Sequence, residues 1–248
     1  VRDPRPEIVE AANLRTLPWA VHGFSTRRGG VSKAYGGNTL NLGITEEDTR
    51  EAVKENRRIF LRAINAVNGR ETFPYVSAKQ IHSAVIHHIT ELPEHPLTGD
   101  GLITNLPVGA LTVRTADCIP VLLADRKRKA VGAFHAGWRG TVARIAAAAV
   151  GEMQAQFGSR PRELRAAIGP CIGACCYEVG DDVRAAFAAR FRNADRWFFT
   201  AEPDPVRSRY PMLFMTGAPP GHPYDPRWNH APGYRLDLQA ALRDQLAL

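Results

Sequence analysis

Apolar residues concentrate in two short runs near the middle of the chain, 119–125 and 130–135, separated by the four basic residues Arg126, Lys127, Arg128 and Lys129. Runs this short and continuously apolar read as strands, and the charged block between them is too costly to bury and reads as a hairpin turn. Folding the runs back on each other sets Cys118 and His135 side by side at one end of the hairpin. Upstream, 76–89 is rich in β-branched and apolar residues and predicts a further strand that carries His82. If 82–88 is unbroken, its two-residue alternation puts His88 on the His82 face, as a substitute ligand.

Helical spacing appears first at Ala52, Val53, Ile59, Phe60 and Ile64, with Thr45 and Asp48 as a capping pair and Asn68-Gly69 as the stop. Gly137 and Gly140 then turn the chain into an Ala-rich helix over 141–157 with Val142, Ile145, Ala149 and Met153 on one face. The amino end of that helix points back at Cys118 and His135, where free N–H groups favour an anion. Short strands are predicted at 102–104, 110–114 and 164–168, a loop at 169–180, a helix at 181–191 and a last helix from Asp237. The segment 20–43 is a strand-and-loop region with Gly29 and Gly30, a candidate anion loop. From 203 to 232 prolines and aromatics occur without period, which predicts a long ordered loop or an insertion with two short strands. No internal repeat or long polar linker divides the chain, so a single α+β domain over 1–248 is expected.

With 248 residues, 44% apolar and 23% charged, the chain can bury an extensive core. A net charge of +7 favours anionic partners, but Arg and Lys are interleaved with Asp and Glu, and the one dense basic cluster falls on a hairpin tip. That pattern argues for a small-molecule substrate and against nucleic acid as a partner. No apolar stretch approaches the roughly 18 residues of a membrane span, and Val1 to Pro6 are not followed by a secretory core, so no membrane role and a cytoplasmic location are expected. Oligomeric state is not readable from this composition. Of four cysteines, Cys118 stands alone while Cys171, Cys175 and Cys176 crowd into one loop. They predict no disulfide framework and read as small buried residues, with soft-metal ligation as the alternative.

The candidate chemistry centres on His82, Cys118 and His135. A thiolate and two imidazoles are good zinc donors, and three protein ligands leave a fourth tetrahedral position for water or substrate. The intervals of 36 and 17 residues between them match no short zinc-finger pattern. Cys118 with His135 alone would form a metal-free nucleophilic dyad. Arg27, with its planar fork of donors, and Arg139, at a helix start, are candidates for holding an anion, or are ordinary surface arginines. Asn41 is a candidate for a hydrogen bond to substrate, or satisfies a turn backbone. Asp117 would orient a histidine ligand or cap local backbone, and Trp138 would stack on a flat ligand or belong to the core.

Taken together, Phe24 to Ser32, Asn41-Leu42-Gly43, Gln80-Ile81-His82, Asp100-Gly101, Thr115 to Pro120, His135 to Gly140, Gly169 to Gly173 and Tyr177-Glu178-Val179 resemble the bacterial polyphenol oxidase or laccase-domain family, whose members are regarded as purine nucleoside enzymes. The resemblance implies a four-layer αββα fold shared with cysteine deamidase toxins, and zinc on His82, Cys118 and His135. It also implies phosphorolysis of adenosine, guanosine, inosine and methylthioadenosine, with inorganic phosphate as co-substrate, and adenosine deamination at the same site. On that reading Arg27 and then Arg139 are the candidates for phosphate, Asn41 for the ribose or base edge and Trp138 for the purine face. Two departures stand out: the family's strand beyond the final helix is absent from this sequence, and 203–232 is longer than the family pattern. The older reading of the family is a copper-dependent phenol oxidase. A multicopper enzyme needs about ten imidazoles. This chain has eight, none spaced His-x-His, although copper competes for the same trio. A non-catalytic small-molecule binding module is the remaining alternative.

Overall fold

Five strands form a mixed sheet in the computed structural model, which describes residues 6–200 and 233–247. They are β1 (Ile86–His88), β2 (Gly101–Thr104), β3 (Ile119–Asp125), β4 (Val131–Ala136) and β5 (Leu164–Ile168), and they lie in the order β5-β3-β4-β2-β1. The expected hairpin is present: β3 and β4 pair antiparallel, with Ile119 opposite Ala136 and Pro120 opposite His135. Ile119, Val121, Leu123 and Ala124 are all buried, so both faces of β3 are covered and its sequence is a continuous apolar run instead of an alternating one. β2 pairs antiparallel with β4 and parallel with β1, which makes the sheet mixed.

The first helix, α1 (Arg50–Ala63), is capped by Thr49, whose hydroxyl accepts the Ala52 N–H, and not by the Thr45–Asp48 pair. Asp48 is instead committed to Ser32 and Asn41. Val53, Phe60 and Leu61 of α1 are buried. The Ala-rich helix is broken in two, α2 (Trp138–Val142) and α3 (Ile145–Phe157), because Arg144 adopts a left-handed φ of 62°. The Thr141 hydroxyl donates to the Gly137 carbonyl, a local bond that competes with a continuous helix at the break. Ile145, Ala146, Ala149 and Met153 are buried on the face of α3 that packs on β1, β2 and β4.

The predicted strand over 76–89 is three pieces, Tyr75–Val76, Ala78–Lys79 and β1. Between the last two, the N–H groups of Ile81, His82 and Ser83 are all taken by the Asp100 carboxylate and are lost to any ladder. The segment at 110–114 is strand only over Ala110–Leu111.

The chain divides into two compact units, Val1–Cys171 with Asp244–Leu248, and Ile172–Arg243. Within the second, β6 (Glu178–Val179), α4 (Asp181–Arg190), β7 (Phe198–Thr200) and β8 (Tyr234–Leu236) are built around Phe187, which is in aromatic contact with Phe191, Trp197 and Phe198. β6 and β7 flank β8 as an antiparallel sheet, so the expected loop at 169–180 ends in a strand. The last helix, α5 (Leu238–Leu246), starts where expected, with the Asp237 carboxylate accepting the Ala240 N–H. The architecture is α+β with several separate sheets. No helix among the described residues is long and apolar enough to cross a membrane. The segment 203–232, expected as a long ordered loop or an insertion with two short strands, lies outside the described residues, as do His222 and His230.

Candidate metal centre

Two of the three expected ligands are fixed by the β3–β4 hairpin. Cys118 is the residue before β3, and His135 lies in β4 opposite Pro120, so the ladder register puts them at the same end of the sheet. His82 arrives from the loop after Ala78–Lys79, held at a left-handed φ of 59°. Such a backbone costs a non-glycine side chain about 1–3 kcal/mol and persists only where its surroundings enforce it.

The enforcing group is Asp100, a buried carboxylate just ahead of β2. Its Oδ1 accepts the His82 N–H at 3.0 Å and sits 2.8 Å from His135 Nδ1, while Oδ2 accepts from the N–H of Ile81, the N–H of Ser83 and the Ser83 hydroxyl at 3.2, 2.6 and 2.7 Å. One side chain therefore ties the His82 loop to His135. Burial works against its ionisation, but the Ser83 N–H, His135, the Ser83 hydroxyl and the Ile81 N–H outweigh it and hold the carboxyl below its ordinary range. An ionised Asp100 selects the tautomer of His135 that carries its proton on Nδ1, leaving Nε2 as a lone-pair donor.

Gln80 adds a second tie. Its amide donates to the Arg114 carbonyl at 2.7 Å and accepts the Arg114 N–H at 2.9 Å, joining the His82 loop to the segment that runs into Cys118. Gly137 completes the packing, since a Cβ there would stand 2.8 Å from His82 Cδ2 and 3.0 Å from Cys118 Sγ.

The result is a cluster in which the donor atoms of His82, Cys118 and His135 all lie within 4.8 Å of one another. Cys118 Sγ is 3.9 Å from His82 Nε2, and the two imidazoles meet edge to face at a centroid distance of 4.9 Å. Tetrahedral zinc with bonds of about 2.3 Å to sulfur and 2.0 Å to nitrogen separates such donors by roughly 3.6 Å. The donor set and its spacing fit one such ion, with His82 exposed, Cys118 half-buried and His135 buried. Burial, and then the negative charges of Asp117, Asp100 and Cys171, push the Cys118 thiol up. Burial pushes His135 down despite Asp100. That polarity is opposite to the thiolate–imidazolium pair of a metal-free cysteine nucleophile, and it is the polarity that a bound cation reverses.

The remaining sequence candidates are placed differently. Arg139 is exposed on the first turn of α2, with its guanidinium 4.5 Å from the centre of the half-buried Trp138 ring. Because α2 has only five residues, its dipole adds little beside that charge. Arg27 is exposed, and its carbonyl accepts the Leu40 N–H. The Asn41 amide donates to Asp48 and accepts the Gly43 N–H, the turn-satisfying alternative. The carboxylate that orients His135 is Asp100, whereas Asp117 is exposed. Sequence alone marks Asp100 only through the Asp100-Gly101 match to the family and gives it no role. His88 is no substitute ligand: the strand is interrupted, and its ring contacts Gln156 and Phe157. The loop cysteines are not buried either, Cys171 being half-buried and Cys175 and Cys176 exposed.

Residues 21–216 match the sequence profile of the family described as multi-copper polyphenol oxidoreductase laccase. A protein of Deinococcus radiodurans named purine nucleoside phosphorylase is 41% identical over 187 residues, 75% of this chain and 68% of that protein. A protein from an unknown prokaryotic organism named adenosine deaminase RL5 is 38% identical over 178 residues, 67% of this chain and 65% of its own length. The chain thus spans about two thirds of these relatives. Among solved structures, the Bacillus licheniformis hypothetical protein YfiH superposes with a TM-score of 0.70 at 30% identity, covering 91% of this chain and 76% of that one.

Proposed function

The chain belongs to the multi-copper polyphenol oxidoreductase laccase family, and within it we propose a zinc-dependent purine nucleoside enzyme that cleaves adenosine, inosine, guanosine or methylthioadenosine with inorganic phosphate and deaminates adenosine at the same centre. The observation that supports this reading is the His82–Cys118–His135 cluster, tied together by Asp100, in a chain 41% identical to a protein named purine nucleoside phosphorylase.

Zinc on these three side chains would supply Lewis acidity and lower the pKa of a water at the open position. Asp100 holds the Nδ1 proton of His135 and the backbone of His82, so the donors need no rearrangement during turnover. Phosphorolysis requires phosphate held against C1′ of the ribose, and Arg27, with its planar fork of donors, is the first cation of the proposal for that role. Arg139, two residues past Gly137 at a helix start, is the second. Asn41 acts for substrate through the loop it shapes with Asp48 and Gly43.

Incubating the purified protein with adenosine, with and without phosphate, tests the reading. Adenine formed only with phosphate is the expected result, with inosine as the deamination product. Inosine alone would remove phosphorolysis, and the absence of all three of adenine, inosine and hypoxanthine would remove the proposal. Metal analysis after purification without nickel resin is expected to give stoichiometric zinc.

The family's description motivates a second reading, copper at the same trio acting on phenols. Copper outcompetes zinc at many nitrogen and sulfur sites. The trio is the one group of three or more such ligands among the described residues, which suits a single ion. Phenol oxidation by copper-loaded protein that outpaces its nucleoside turnover would favour this alternative.

A further inference from the structure

We infer that Cys175 and Cys176 form a second soft-ion site, a dithiol chelate for a trivalent thiophilic ion of the arsenical class, made of none of the trio's residues. Both side chains are exposed and their sulfurs stand 3.1 Å apart. The turn that carries them is pinned at each end. The N–H groups of Cys176 and Tyr177 donate to the Gly173 carbonyl at 3.0 and 3.1 Å, and β6, which follows at once, pairs with β8 through Glu178 opposite Arg235. The Cys175 sulfur lies back over Gly173, where an added Cβ would be 3.5 Å away.

Adjacent cysteines joined by a trans peptide have Cα atoms about 3.8 Å apart, below the roughly 4.4 Å lower limit of a relaxed disulfide. Oxidation to a disulfide is therefore strained, and the pair is held as a dithiol. A 3.1 Å bite with sulfur bonds of about 2.3 Å gives an angle at the ion of roughly 85°. Tetrahedral zinc would ask for a wider angle. A pyramidal trivalent ion with a lone pair accepts near-right angles.

The hydrogen bond and then the charge of Cys175 hold the Cys176 thiol up, because two adjacent thiolates repel, and the positive charge of Arg235 offsets this only in part. Chelation removes that conflict. With phenylarsonous acid, two As–O bonds break and two As–S bonds form, both thiol protons leave within two water molecules, and no electrons are transferred.

The test is titration of the protein with phenylarsonous acid, followed by intact mass, in the presence of excess monothiol. One adduct per chain is expected, stable to β-mercaptoethanol and released by dithiothreitol. Closing the second bond within the chain multiplies affinity by on the order of 100-fold or more, so Cys175→Ser and Cys176→Ser should each weaken binding by about that factor. Cys118→Ser and Cys171→Ser should retain it, and far-UV circular dichroism checks that all four variants fold. Absence of a monothiol-resistant adduct, its survival in Cys175→Ser or Cys176→Ser, or its loss in Cys118→Ser or Cys171→Ser would each overturn the assignment.

Discussion

His135 stands on the sheet with Cys118 directly at its end, His82 stands on a loop, and the two situations are held by different physics. The sheet-borne pair is positioned by the β3–β4 ladder and by a core in which Ile119, Val121 and Leu123 are buried, so many small contributions share the task. The loop-borne His82 is positioned by the four hydrogen bonds that Asp100 accepts from residues 81–83 and by the amide of Gln80. A site of this kind should separate stability from metal affinity: damage to the core loosens the whole molecule, while damage to the polar ties loosens the third ligand.

Asp100→Ala gives the largest expected effect on that comparison. It leaves the part-buried N–H groups of Ile81, His82 and Ser83 without their acceptor and frees the buried His135 to take either tautomer. Loss of a carboxylate that orients a metal-bound histidine costs about 10–100-fold in metal affinity. The orphaned donors should add about 3 kcal/mol or more of destabilisation. Zinc competition against a chromogenic chelator and urea unfolding measure the two. Leu123→Ala, deep in β3, is the matched control, expected to lose about 2–5 kcal/mol of stability while metal affinity stays within about threefold. Equal loss of affinity in both variants would erase the distinction.

The same division explains what the sequence made legible. The placement of Cys118 beside His135 was legible because continuous apolar runs bounded by a basic block specify strands, and strand pairing then fixes neighbours. The break at 80–85 was not visible, because it depends on a carboxylate some 20 residues downstream capturing backbone donors, an interaction with no local period. For the same reason His88 was placed beside His82, and Asp117, next to Cys118 in sequence, was offered the orienting role that Asp100 fills from across β2 and β4. The break at Arg144 was hidden by the uniform helix propensity of the alanines around it.

Gly137→Ala tests how closely the two classes of ligand must approach. The added Cβ would press on His82 Cδ2 and Cys118 Sγ together. The backbone there, φ −78° and ψ 175°, accepts alanine without strain. Stability should therefore change by no more than about 1 kcal/mol, while zinc affinity falls by about tenfold as the ligands move apart. A variant that binds zinc as well as the parent would show that the loop yields freely.

Gln80→Ala removes only the tie between the His82 loop and the Arg114 backbone. Two hydrogen bonds at roughly 1 kcal/mol each set the scale, reduced where water replaces the amide. Hydrogen exchange should show it best, with faster exchange at the Arg114 amide and unchanged protection along β3. Faster exchange along β3 as well would mean that the loop supports the sheet, the reverse of the dependence argued above.

The smallest effect concerns the far end of the same hairpin. Asp125 closes β3, and its buried carboxylate accepts the N–H groups of Lys127 and Arg128 at 2.8 and 3.0 Å and pairs with Arg128 at 3.3 Å. Burial alone would raise its pKa, but the Ser159 hydroxyl, then the N–H groups of Arg128 and Lys127 and the Arg128 charge, outweigh it and hold the carboxyl below its ordinary value. A carboxyl depressed in the folded state stabilises fully above its unfolded pKa of about 3.9, and that contribution disappears as pH falls through the lower folded value. Asp125→Asn should therefore cost about 1–2 kcal/mol at pH 7, and the gap to the parent should narrow progressively in urea titrations below about pH 4. Cys118 lies at the other end of a seven-residue strand, and seven residues of strand span about 20 Å. Zinc affinity at pH 7 should accordingly be unchanged, because groups that far apart with no shared partner act independently. If affinity falls with Asp125→Asn, the hairpin transmits strain along its length, and the sheet-borne ligands are no more independent of single polar contacts than the loop-borne one.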